Sequence, residues 1–207
     1  MASDGCLSND GRHLTLVSTD IEQLENFNKA IGRTIAIKLH HGGKLSLHRK
    51  QGYRVQFSDI AYYQFLLSIG LTPKKSRIIP ALNIPNEYYG HFLRGLFDGD
   101  GTTYAYNDPR WPTSYLYYVG FASASPIFLD YLAKMNMKLF GTGAGAVRKH
   151  KGASSLYYAK KDGYKVYRGM YSESGDLWLS RKRHKLEAFI LIANSGIILN
   201  NARVVEW

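Results

Sequence analysis

Nine residues near the middle of the chain, Leu93-Arg94-Gly95-Leu96-Phe97-Asp98-Gly99-Asp100-Gly101, restrict what the rest can become. Just upstream, Pro85-Asn86-Glu87 reads as a helix start, with Asn86 as the cap and Glu87 in the first turn. Tyr89, Phe92, Leu93, Leu96 and Phe97 then recur at helical spacing. Gly90 and Gly95 weaken such a helix, so they predict the close approach of a second one. Gly99 or Gly101 ends it. Asp98 and Asp100 therefore stand at the helix C-terminus, where the macrodipole is already negative. Two carboxylates there call for a cation. No Lys or Arg lies between Asp100 and Arg110, and a bound metal supplies what is missing.

This stretch resembles the LAGLIDADG motif of the homing endonucleases. It keeps the first Leu, the central Gly-Leu, an apolar residue in Phe97, both acids and the final Gly, and it departs at Arg94 and Gly99. The rest of the chain is consistent with two copies of that family's repeat. The first copy begins at the very end of a motif, with Asp4-Gly5 falling on Asp100-Gly101.

Leu7 to Ser18 reads as a hairpin turning at Asn9-Asp10-Gly11. Thr19 or Asp20 caps a helix over Ile21 to Ile31, ended by Gly32. Strands are expected at Thr34–Leu39, Lys44–Lys50 and Tyr53–Phe57, then a helix over Ile60–Ile69 capped by Ser58-Asp59. The second copy repeats the order. Thr102–Asn107 and Ser114–Phe121 form a hairpin, and a helix runs over Ile127–Leu139 with its cap in Ser123–Ser125. Strands follow at Ala146–Lys151 and Ser155–Lys161, Asp162-Gly163 turns into a strand over Tyr164–Met170, and a last helix covers Lys185–Ala193. Three landmarks pair in order: Asp4 with Asp100, Asp20 with Ser125, and Gln51-Gly52-Tyr53-Arg54-Val55 with Asp162-Gly163-Tyr164-Lys165-Val166.

The resemblance implies an α+β fold, a pseudo-two-fold duplicate of αββαββα with antiparallel saddle sheets and its first helix missing. Residues 1–80 would form the first repeat and 81–207 the second. Three explanations of the missing helix stand side by side: a truncated start, pairing of two chains through their Asp100 helices, or a relic that binds DNA without cutting.

Charge agrees with a polyanion partner. Lys and Arg number 27 against 16 acids, a net charge of +11. The plainer reading of that charge is a ribosome-associated or merely basic protein. Cys6 is the one cysteine, so an intrachain disulfide and a cysteine-rich zinc site are excluded. No apolar run approaches the ~20 residues of a membrane span. The expectation is a soluble intracellular protein, in the cytoplasm, nucleoid or an organelle matrix.

By the resemblance, the function is site-specific hydrolysis of a long double-stranded DNA target, as in intron homing. Mg²⁺, with Mn²⁺ as a substitute, would be held by Asp4, Asp100 and the Gly99 carbonyl. Asp98 would be structural. Each copy would add a basic residue near its site, Lys74 or Lys75 in the first and Lys182 within Ser180-Arg181-Lys182-Arg183 in the second. Lys75 and Lys182 are the candidates, acting on water or on phosphoryl charge.

DNA contact is expected from strand-borne residues: Lys44, His48, Arg49, Lys50, Gln51 and Arg54 in the first copy, and Arg148, Lys149, Lys160, Lys161, Lys165 and Arg168 in the second. A solvated basic face is the competing reading of these clusters. The alternative function is a catalytically impaired relative that binds DNA or intron RNA. An intein is excluded by Met1 and by an end, Val204-Val205-Glu206-Trp207, without the His-Asn that splicing needs.

Overall fold

The computed structural model describes residues 1–40, 51–172, 175 and 177–195. Two four-stranded antiparallel sheets have the same strand order. The first contains β1 (Gly5–Leu7), β2 (His13–Ser18), β3 (Lys38–His40) and β4 (Gly52–Ser58), in the order β1-β2-β4-β3. The second contains β5 (Gly101–Asp108), β6 (Trp111–Ser123), β7 (Ala146–His150) and β8 (Ala153–Ala159), in the order β5-β6-β8-β7. Helices α1 (Ile21–Ala30) and α2 (Ile60–Ser68) belong to the first half. Helix α3 (Tyr89–Asp100) opens the second half, followed by α4 (Pro126–Phe140), α5 (Lys160–Tyr171) and α6 (Ser180–Ser195).

Register shows the duplication residue by residue. Leu7 pairs with Leu14 as Thr103 pairs with Val119, displacements of 96 and 105 residues. Leu16 pairs with Val55 as Phe121 pairs with Leu156, displacements of 105 and 101. The helices after β2 and β6 start alike, at Asp20 and Ser125, and Ser125 accepts the Phe128 N–H as a true cap.

Helix α3 runs through the largest core cluster. Tyr89, Leu93, Leu96 and Phe97 are buried against Tyr117, Val119 and Phe121 of β6 and Leu156 and Tyr158 of β8. Each such side chain contributes roughly 1.5–3 kcal/mol of transfer free energy, so the helix is held by packing despite its glycines. A separate small cluster of Leu16, Leu24 and Val55 fixes α1 to the first sheet.

Four expectations change. Tyr164–Met170 is helical, because Gly163, Val166 and Met170 are buried at helical spacing and α5 lies on the core face of the second sheet. The landmark pairing of 51–55 with 162–166 therefore falls, and the true partner of β4 is β8. The strand expected over Thr34–Leu39 is reduced to β3. The close neighbour of Gly90 is α5, not another motif helix: a Cβ there would lie 2.4 Å from the Gly169 carbonyl oxygen, and one at Gly95 would meet nothing within 4 Å. The strand expected over Lys44–Lys50 lies outside the described residues. No described helix is long and apolar enough to cross a membrane.

Candidate active centre and nucleic-acid face

The C-terminal turn of α3 meets residues 1–4. A Cβ on Gly99 would lie 2.1 Å from Ser3 Oγ and 2.7 Å from Asp4 Oδ2, so only glycine lets the start of the first repeat rest against the end of the motif helix. This contact brings the neighbourhood of Asp4 to that of Asp100.

A lysine clamps each copy at matched atoms. Lys182 Nζ donates to the carbonyls of Phe97, Gly99 and Gly101 at 2.8, 2.7 and 2.7 Å. Lys75 Nζ donates to the carbonyl of Gly5 and, at 3.5 Å, to that of Ser3. Ser3 and Gly5 are 96 residues before Gly99 and Gly101, the displacement that relates the paired strands. The Gly99 carbonyl, expected on a metal, also accepts from Lys182, and a carbonyl oxygen keeps a second lone pair.

Electrostatics follow from crowding. Desolvation, then the charge of Asp4, raises Asp100 above the usual carboxylate range, while Lys182 and Lys75 pull it back. Lys182 is brought down to about 8, first by desolvation and then by Arg181. Desolvation also lowers Lys75. Asp98 is raised to about 6, chiefly by burial. The Leu179 N–H and the charges of Lys182 and Arg94 oppose that rise. One Asp98 oxygen is buried without a hydrogen-bond partner. Among the described residues no three His, Cys, Asp or Glu side chains gather as a metal cluster. The centre offers two carboxylates, and Mg²⁺ suits few protein carboxylates completed by phosphate and water.

The first turn of α1, absent from the sequence expectations, braces both sides of this centre. Gln23 Nε2 donates to Asp4 Oδ2 at 3.0 Å, and Ser18 Oγ donates to Gln23 Oε1 at 2.6 Å. Its neighbour Glu22 accepts the Ser180 N–H on both oxygens at 3.1 Å and also the Ser180 hydroxyl. Arg181 makes two bonds to Asp20, at 3.0 and 2.6 Å. The start of α6, and with it Lys182, is held by a helix of the other half. Only the run of polar residues opening α1 hinted at this. The position matching Gln23 is Phe128, which is buried.

The expected DNA-contacting residues divide. Lys44, His48, Arg49 and Lys50 lie outside the described residues. Gln51 is exposed and donates to the Gly52 carbonyl. Arg54 sits opposite Lys38 and Val17. Its strand buries Val55, so Arg54 and Gln56 share the face turned from the core. Arg148 shares that face of the second sheet, opposite Ser155, and Lys149 points the other way.

Lys160 begins α5 and donates to Ser114 Oγ at 2.9 Å. Lys161, Lys165 and Arg168 are on α5, the core side of the sheet, so they do not join Arg148. Lys165 pairs instead with Asp162 at 3.3 Å and with the Gly141 carbonyl.

Residues 87–179 match the family model described as the LAGLIDADG-like domain. No curated protein matches the chain. Among solved structures it resembles the homing endonuclease I-WcaI bound to its DNA recognition sequence, at 14% identity and TM-score 0.61 over 89% of this chain and 81% of that one. It resembles the LAGLIDADG meganuclease I-AabMI bound to uncleaved DNA, at 13% identity and TM-score 0.57 over 94% and 87%. The full-length DUF199/WhiA protein of Thermatoga maritima aligns at 15% identity and TM-score 0.58 over 97% of this chain and 58% of its own. This chain therefore spans little more than half the length of that protein. At such identities the likeness is one of fold: two antiparallel saddle sheets and their helices in the homing-endonuclease arrangement.

Proposed function

We propose that this LAGLIDADG-family chain, whose residues 87–179 carry the matched domain, binds a long double-stranded DNA target and hydrolyses one phosphodiester in each strand with Mg²⁺. The observation that carries the reading is the paired centre. Asp4 and Asp100 are brought to one place across Gly99, each beside a turn whose carbonyls a half-buried or buried lysine clamps.

Asp4 and Asp100 would hold the metal, which when bound supplies an activated water and neutralises charge on the phosphate. The protein's own groups do the rest. Repulsion between the carboxylates is offset by Lys75 and Lys182 until a cation arrives. Gln23 fixes the orientation of the Asp4 carboxylate through Oδ2. Lys182, whose three donors hold the carbonyls of Phe97, Gly99 and Gly101, keeps a positive charge beside the place where phosphoryl charge would develop. The net charge of +11 draws the duplex in.

The test starts from duplexes enriched for binding out of a randomised pool. On these the protein with Mg²⁺ is expected to leave a double-strand break with a short 3′ overhang, and EDTA should stop it. Bound duplexes that stay intact at every Mg²⁺ concentration would leave the alternative, a relative that binds without cutting.

A further inference from the structure

The open faces of the two sheets carry different chemistry at matched positions. On the second, Tyr104, Tyr106 and Tyr118 stand nearly parallel. Tyr104 and Tyr118 have centroids 4.8 Å apart, and Tyr106 lies 6.0 Å from Tyr118. Tyr157 meets Tyr104 and Tyr118 edge-on, at 5.6 and 6.5 Å. It fits because Gly120 lies beneath, where a Cβ would come within 2.4 Å of the ring. One face of Tyr104 and one of Tyr118 are turned to each other.

The cluster holds Arg148. Its Nη1 donates to the Tyr104 hydroxyl at 2.9 Å, and its guanidinium lies 5.5 Å from the Tyr118 ring centroid and 5.3 Å from that of Tyr157. Arg148 is nevertheless exposed. A guanidinium has five N–H donors, so most remain to face outward in a fixed plane.

The displacements of 96, 105 and 101 put Ser8, His13 and Gln56 where the second sheet has Tyr104, Tyr118 and Tyr157, and Asp10 lies in the turn of the shorter first hairpin. Lys38, opposite Arg54, takes the place of Arg148, opposite Ser155. Among the described residues, none of the cation–ring contacts involves Lys38.

We propose that Arg148 is a specificity-determining residue, held by the tyrosine cluster to read one guanine through its O6 and N7 atoms. A pre-set guanidinium fits that two-acceptor edge; a lysine on the matching strand cannot present the same fork. The inference rests on the proposed binding of duplex DNA and does not depend on cleavage.

Binding selection from a randomised duplex pool, followed by affinity measurements over a range of salt, tests it with the full chain and its Arg148→Lys and Tyr104→Phe variants. The wild type should prefer G at one pair of the enriched site by roughly 10- to 100-fold. Arg148→Lys should lose that preference with the other positions kept. Tyr104→Phe, which retains the ring, should weaken the preference in part.

Three results would overturn the proposal. If a charge-removing Arg148→Gln variant, measured alongside, weakens all sequences equally and lowers the salt slope by about one, Arg148 contacts phosphate. If Arg148→Lys enriches the same guanine as strongly, the proposal fails while duplex binding stands. If no duplex sequence is enriched at all, the DNA-reading premise falls with it.

Discussion

Three glycines of α3 have three different surroundings, and single methyl groups distinguish them. Gly90 faces the Gly169 carbonyl, Gly99 faces Ser3 and Asp4, and Gly95 faces open space. In the sequence all three are glycines in a helix, a local weakness of up to ~1 kcal/mol each. Gly95→Ala should therefore stabilise the protein by about 0.5–1 kcal/mol in urea unfolding, through helix propensity alone. Gly90→Ala forces α3 and α5 apart and should cost about 1–3 kcal/mol. Equal effects at the two positions would contradict the packing described. The acids of the motif were legible in the sequence, because charge at a helix end leaves a mark there, whereas the two clamping lysines were reached only through the family resemblance. Gln23 and Glu22 were not legible. Each reaches its partner, Asp4 or Ser180, only after the chain has folded back on itself.

At the level of elements, two nearly identical local sequences take opposite structures. Gly52-Tyr53-Arg54-Val55 is strand and Gly163-Tyr164-Lys165-Val166 is helix. Alternation fits the first, where Val55 faces the core and Arg54 does not. The second is decided further along, where Met170 continues a helical row of buried residues from Val166, and by the fit of Gly163 against Tyr117 and Val119. Tertiary packing outweighs a propensity difference this small. Helix α6 shows the same dependence on distant contacts. Its first turn is tied to α1 through Glu22–Ser180 and Asp20–Arg181, and the Leu179 N–H before it serves Asp98. Glu22→Ala would leave the Ser180 N–H and hydroxyl without their acceptor, at a cost of about 1–3 kcal/mol. Amide hydrogen exchange at Ser180–Arg183 should then quicken ahead of the rest of α6. Unchanged protection there would show that α6 is held by its apolar side, Leu186 and Ile190, alone.

Over the whole molecule, the duplication explains why one centre has parts from both halves. Asp4 and Asp100 directly precede the equivalent strands β1 and β5, and equivalent lysines arrive from a 3₁₀ turn at Lys75–Arg77 in one half and from α6 in the other. The exchange of Gln23 for Phe128, and of a polar open face for a tyrosine-lined one, makes the halves chemically unequal while the fold stays symmetric. The repeat order was partly readable from turns and apolar spacing, and the antiparallel saddle sheets came from the family resemblance. The inequality of the faces became visible only with the strand register. The central claim, that Asp4 and Asp100 jointly serve a divalent ion at the scissile phosphates, is tested most directly by single-turnover cleavage of a selected duplex labelled on both strands. Wild type, Asp4→Asn and Asp100→Asn would be compared at saturating Mg²⁺. The expected result is cleavage of both strands by the wild type, a loss of at least about 100-fold in each variant, and duplex affinity kept in both. Cleavage by either variant at the wild-type rate would contradict the claim.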